Sequence, residues 1–261
     1  MATIVKKIHF ILLICCVCSI PFSLGEIKLN SYFIILLTIN FFLQLIFLRK
    51  ESKRSFNALL FLFIGVYFMH LLGWFKADNS HEAIFELQKK ASIFLFPFLL
   101  CYSTSLTFEQ CKTILLSFVF GCLLAVVICL SKAGYLFMVS GDSSVFFYQN
   151  LSWGVGMHAT YLSMCLCFSI IILLFYFGKM TFNHKKQKLL YYSTLIIFGI
   201  TILLLGARMQ QLILFLIIII YFFMHFHRSM GLLKSLVSVG VIAVAIMGLV
   251  LLFPSNREHF K

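Results

Sequence analysis

Residues 189–226 read LLYYSTLIIFGITILLLGARMQQLILFLIIIIYFFMHF, and how this stretch is divided decides the fold. As one helix, its 38 residues would run to about 57 Å at about 1.5 Å per residue. That is about twice the 30 Å thickness of a bilayer's hydrocarbon core. Its only charged residue, Arg208, falls near the middle, beside Gly206, Gln210 and Gln211. A single span would bury an arginine close to the bilayer centre, which is costly. Two spans joined by a tight turn at Gly206–Gln211 carry Arg208 to a membrane face instead, so the reading is a helical hairpin.

The rest of the chain has the same character. Of 261 residues, 62% are hydrophobic and 11% charged, against about 25% charged in an average soluble domain. Such a chain cannot cover a water-facing surface, which excludes a soluble globular enzyme, a disordered protein and a disulfide-stapled secreted domain. Runs of about 20 apolar residues are long enough to cross a bilayer. Ile8–Leu24, Asn30–Leu48, Phe56–Phe75, Thr113–Leu130, His158–Gly178 and Ser235–Phe253 all qualify. Ala91–Tyr102 is shorter and contains Pro97, which a membrane helix tolerates when its neighbours satisfy the freed carbonyl. With the hairpin, the expectation is an all-α, polytopic membrane protein of nine spans in one domain over residues 1–261.

The 21 basic residues, net charge +13, would suit nucleic acid or a cytoplasmic loop excess. Their placement decides between the two. With the N-terminus cytoplasmic, 13 fall inside and 8 outside, and both dense clusters, Arg49–Arg54 and Lys179–Lys188, fall inside. This is the positive-inside pattern; it predicts a cytoplasmic N-terminus and a periplasmic C-terminus, and nucleic acid is set aside. The inner clusters suit anionic lipid headgroups. A signal peptide would rest on Lys6-Lys7, the apolar run and Ser23-Leu24-Gly25, but that run is long for one and cleavage would not reorient later spans. The nine cysteines lie almost entirely within spans and read as small apolar packing residues, with no metal-ligand spacing.

Few polar groups remain on the outer side. Arg208, at the hairpin mouth, has the forked donor geometry for a phosphate or pyrophosphate, and the helix start at Met209–Gln211 would add backbone N–H groups. A snorkelling arginine marking the interface is the equal alternative. His158 opens a span and Tyr161 lies one turn on; both suit a sugar hydroxyl or phosphate, or belong to an ordinary aromatic belt. Lys89 and Lys90, after Glu86, run against the positive-inside bias, which fits an anionic ligand or, more simply, an amphipathic interfacial helix. The polar stretch Lys132–Met157, containing Asp142, is expected as an outer loop.

Three segments together resemble the O-antigen ligase and O-antigen polymerase-like membrane proteins of bacteria. The first is Phe85-Glu86-Leu87-Gln88-Lys89-Lys90 leading into the Pro97 span. The second is His158-Ala159-Thr160-Tyr161-Leu162, similar to the family's His-Pro-Thr-Tyr run. The third is Leu203-Leu204-Leu205-Gly206-Ala207-Arg208, similar to an apolar run ending in Ser-Arg. The resemblance covers residues 85–261. It implies an inner-membrane glycan transferase that moves a saccharide from a polyprenyl pyrophosphate to a lipid or glycan acceptor on the periplasmic face, without metal or nucleotide. Arg208 would hold the pyrophosphate leaving group, and His158 and Tyr161 would line the donor site. Phe253–Phe260 looks like the start of the family's large external loop, whose His activates the acceptor. The chain reaches Lys261 there, so the resemblance also implies a shortened member, inactive alone. A non-enzymatic flippase, permease or accessory subunit of surface-glycan export is the other reading.

Overall fold

The computed structural model describes residues 2–22, 29–47, 58–76, 79–101, 106–177 and 185–230. Among these residues every regular element is helical and none is a strand. The expected span Ser235–Phe253, the stretch Phe253–Phe260 and the cluster Arg49–Arg54 lie outside them. The helices are α1 (Ala2–Ser19), α2 (Leu29–Phe47), α3 (Ala58–Trp74), α4 (Ser80–Cys101), α5 (Phe108–Ser140), the short α6 (Tyr148–Ser152), α7 (Ala159–Ile171), α8 (Lys185–Leu204) and α9 (Arg208–Met230). Four segments, Leu29–Ile46, Phe108–Ser140, Ala159–Tyr176 and Lys185–Leu204, are long and apolar enough to cross a membrane. Leu60–Trp74 and Arg208–Met224 are shorter apolar stretches. Large apolar side chains such as Phe42, Met69, Val127, Ile196 and Leu216 face outward. Exposed apolar surface on this scale is costly in water and expected in lipid. These features mark a membrane protein.

Local signals explain where the helices begin and end. Asn79 caps α4: its Oδ1 accepts from the N–H groups of His81 and Glu82 at 3.2 and 3.4 Å. The helix then runs through Glu86, Lys90 and Pro97, so the acidic–basic stretch and the Pro97 span are one continuous element. A reciprocal cap starts α5. Thr107 N–H donates to Gln110 Oε1 at 2.9 Å, and Gln110 N–H donates to Thr107 Oγ1 at 3.3 Å. It ends at Gly141, which adopts φ +68° while its N–H returns to the Phe137 carbonyl at 2.8 Å. At 33 residues α5 is about 50 Å long. It therefore takes in Lys132–Ser140, and only the remainder of the expected outer loop is non-helical or short-helical.

The helices form two compact units. The first comprises Met1–Cys15 and Ser31–Thr113. Here Tyr67 of α3 and Phe94 of α4 bring their rings to 5.5 Å, pairing the two helices as an antiparallel hairpin. Between α1 and α2 sits a buried polar group: His9 beside Asn40, whose Oδ1 accepts from Gln44 Nε2 at 3.0 Å.

The second unit comprises Cys16–Asn30 and Ile114–Lys261. Its core is built from α5, α7, α8 and α9, with Val126, Cys129, Leu162, Leu166, Phe198 and Ile202 fully or almost fully buried. Small residues let backbones approach. A Cβ on Gly154 would lie 2.7 Å from Cys129 Cα, and one on Gly121 would overlap the Cys18 carbonyl. After Ile171 the ladder widens into a π segment, Ile172–Phe177, so the last turns of this helix are rotated relative to α7 proper.

Candidate functional site

The break in the long apolar stretch falls where the sequence places it. α8 stops at Leu204, Leu205 N–H still reaches the Thr201 carbonyl at 2.9 Å, and Gly206 takes φ +60°. Only glycine adopts that conformation without a Cβ penalty. The turn is tighter than the predicted Gly206–Gln211: Arg208 is already the first residue of α9. Gln210 and Gln211 are buried, and Gln211 Nε2 donates back to the Leu203 carbonyl at 3.3 Å, tying the two helices across the turn. Arg208 and Met209 point away from this core and are exposed. The first turn of α9 leaves backbone N–H groups beyond the helix's own acceptor ladder.

His158 is the N-cap of α7. Its Nδ1 accepts from Thr160 N–H at 3.3 Å, and its carbonyl accepts from the N–H groups of Tyr161 and Leu162 at 3.0 and 3.1 Å. The remaining amide, Ala159 N–H, is taken by Gln149 Oε1 at 3.1 Å. The start of α7 is thus satisfied by protein groups, and the imidazole presents only Nε2 for other contacts. Its ring makes edge contacts with Tyr161 (centroids 6.1 Å apart) and Tyr148 (6.4 Å). All three rings are exposed. Tyr148 has φ +51°, a left-handed conformation rare for a residue with a Cβ. Strained residues of this kind concentrate at functional sites.

The heights of Arg208 and His158 follow from two contacts. Cys167 Sγ donates to the Gln210 carbonyl at 3.4 Å, and the rings of Phe175 and Tyr221 lie 5.8 Å apart. Together they make α7 and α9 parallel and bring Arg208 level with the segment from Leu162 to Cys165. Arg208 therefore sits about 6–10 Å along α7 below His158, one to two turns. Cys122 Sγ donates to the Cys165 carbonyl at 3.8 Å, and Lys132 Nζ donates to the Trp153 carbonyl at 3.3 Å. Measured along α5, Arg208 is about 10–15 Å below Lys132. Along α7, Tyr161 is within about one turn of the Arg208 level and His158 lies one to two turns above it.

Lys90 belongs to the other unit, on α4, with Nζ 3.9 Å from Glu86 Oε2. Lys89 precedes it on the same helix, and its side chain is outside what the structure describes. Asp142 accepts from the Ser144 N–H at 2.8 Å and the Ser144 hydroxyl at 2.6 Å. These two bonds, the hydroxyl's first, hold its carboxyl below the usual range. Among the described residues no three His, Cys, Asp or Glu side chains gather as a metal site.

Tyr148 and Gln149 escape sequence reading. Gln149 meets Ala159 only because the loop doubles back, and nothing in the hydropathy of Phe147-Tyr148-Gln149 signals that. The chain is, in class, a membrane protein whose regular elements among the described residues are all helices. No family model matches it, and neither a curated protein nor a solved structure shows significant similarity.

Proposed function

We propose that this is a multi-pass protein of the bacterial inner membrane, similar in type to the O-antigen ligases and polymerases. It moves a saccharide from a polyprenyl-pyrophosphate donor to a lipid or glycan acceptor on the periplasmic face. In this reading the chain crosses nine times, with the N-terminus inside and the C-terminus outside. Four of those spans are supported by helices long and apolar enough to cross, Leu29–Ile46, Phe108–Ser140, Ala159–Tyr176 and Lys185–Leu204. The segment of α5 from Lys112 to Lys132 is about 30 Å long, the thickness of the hydrocarbon core.

One observation supports the proposal: Arg208 opens α9, exposed beside the Gly206 turn, in the same unit as the ring group of His158, Tyr161 and Tyr148. An arginine so placed, at the mouth of a helical hairpin, can reach an anion at the membrane face. Its fork and the adjoining helix start suit a lipid-borne pyrophosphate, stabilising charge as the sugar leaves, while the rings face the glycan. Lys89 and Lys90 lie on α4 in the other unit, where Lys90 Nζ is 3.9 Å from Glu86 Oε2, and are left out of this site. The test is a deletion strain complemented with wild type, Arg208→Ala or Arg208→Lys. Arg208→Ala should lower surface glycan about 10²-fold or more, with donor lipid accumulating on the outer face. Normal glycan in the deletion strain and in Arg208→Ala would sink the reading.

A second reading has its own observation. His9 is 1% exposed and lies beside Asn40. With Asn40 and Gln44 it forms a polar group inside the helices, as a flippase or permease would require. Donor lipid accumulating on the inner face after deletion, reproduced by His9→Leu, would favour this reading.

A further inference from the structure

We propose that the cleft between α3 and α4 binds a single neutral pyranose ring. The cleft has a volume of about 210 Å³, smaller than the roughly 300–1,000 Å³ sites of drug-sized ligands, so it holds one ring rather than an oligosaccharide. Its walls are His70, Gly73 and Trp74 from α3 and Glu86, Leu87 and Lys90 from α4. Spacings of three and four residues put each set on one face of its helix. A Cβ on Gly73 would meet nothing within 4 Å, so that wall stays open.

The chemistry selects the ligand. Trp74 and Leu87 supply an apolar wall for the C–H face of a ring, which an indole covers well. Glu86 accepts hydrogen bonds, Lys90 donates them and His70 does either. A ring carrying many hydroxyls, each both donor and acceptor, matches such a mixed set. A phosphate does not, because Glu86 would repel it and Lys90 is already 3.9 Å from that carboxylate. This site is independent of the Arg208 reading: it lies in the other unit and binds its ligand without transforming it.

The experiment uses the full chain in lipid nanodiscs. The sequence has two tryptophans, so Trp153→Phe leaves Trp74 as the sole indole reporter. The probes are methyl glucoside, methyl galactoside and N-acetylglucosamine, with inorganic phosphate as comparison. At least one pyranose should give a saturable change in Trp74 emission. That affinity should weaken roughly tenfold in Glu86→Gln and in His70→Ala, and should persist in Arg208→Ala. Helicity by circular dichroism shows that each variant is folded. No saturable response to any of the three sugars, a response unchanged in both cleft variants, or a response to phosphate alone would overturn the proposal.

Discussion

At the scale of single residues, backbone contact and capping give the firmest expectations. Gly154→Ala drives a methyl into Cys129, and Gly121→Ala into the Cys18 carbonyl. Overpacking of this kind costs about 1–3 kcal/mol. Gly199 is the control, because a Cβ added there would meet nothing within 4 Å, and Gly199→Ala should be neutral or slightly stabilising. Thermal unfolding in detergent checks all three. His158 is a cap before it is anything else. Asparagine caps well, so His158→Asn should unfold within about 0.5 kcal/mol of wild type. If its glycan transfer also stays normal, the imidazole acts only structurally. The Asp142 carboxyl is held low by Ser144 in the folded chain. Its stabilising effect is therefore present above the unfolded value of about 3.9 and is lost as pH falls through the lower folded value. Ser144 amide exchange should be slower in wild type than in Asp142→Ala at neutral pH, and the difference should persist at about pH 4 and close only as pH falls through the lowered folded value.

At the scale of elements, most helices were legible because apolar runs and glycine stops are local signals. The break at Gly206 follows from length and one charge, and the structure bears it out. The end of α5 was not legible by the same means. Hydropathy falls at Lys132, yet Lys132-Ala133-Gly134-Tyr135-Leu136-Phe137-Met138 contains no proline, and Gly134 stays helical, so the helix continues until Gly141 takes a positive φ. Polarity marks where a helix leaves lipid, not where it ends. The candidate site was legible in part for a related reason. His158, Tyr161 and Arg208 stand out in sequence, whereas the difference in their heights depends on contacts between α7 and α9. Gly206→Ala forces a side chain into φ +60° and should cost about 1 kcal/mol or more, lowering the unfolding temperature while Gly199→Ala does not.

For the whole molecule, orientation is the most direct test. In a background lacking the nine native cysteines, a cysteine at Ser143 should react with a membrane-impermeant maleimide added to spheroplasts. One at Lys186 should react only after the membrane is opened. The reverse pattern would invert every assignment of an outer face. The π segment at Ile172–Phe177 also bears on which length changes the protein tolerates. Each residue of a helix turns the chain about 100°. One residue deleted there restores the narrower α turn with little change in register, whereas one deleted within Ala159–Ile171 swings the later residues and takes Phe175 from Tyr221. A deletion between Gly141 and Phe147 would be absorbed by the turn that contains it. Related chains should therefore differ in length around Asp142 and keep a fixed count from His158 to Ile171.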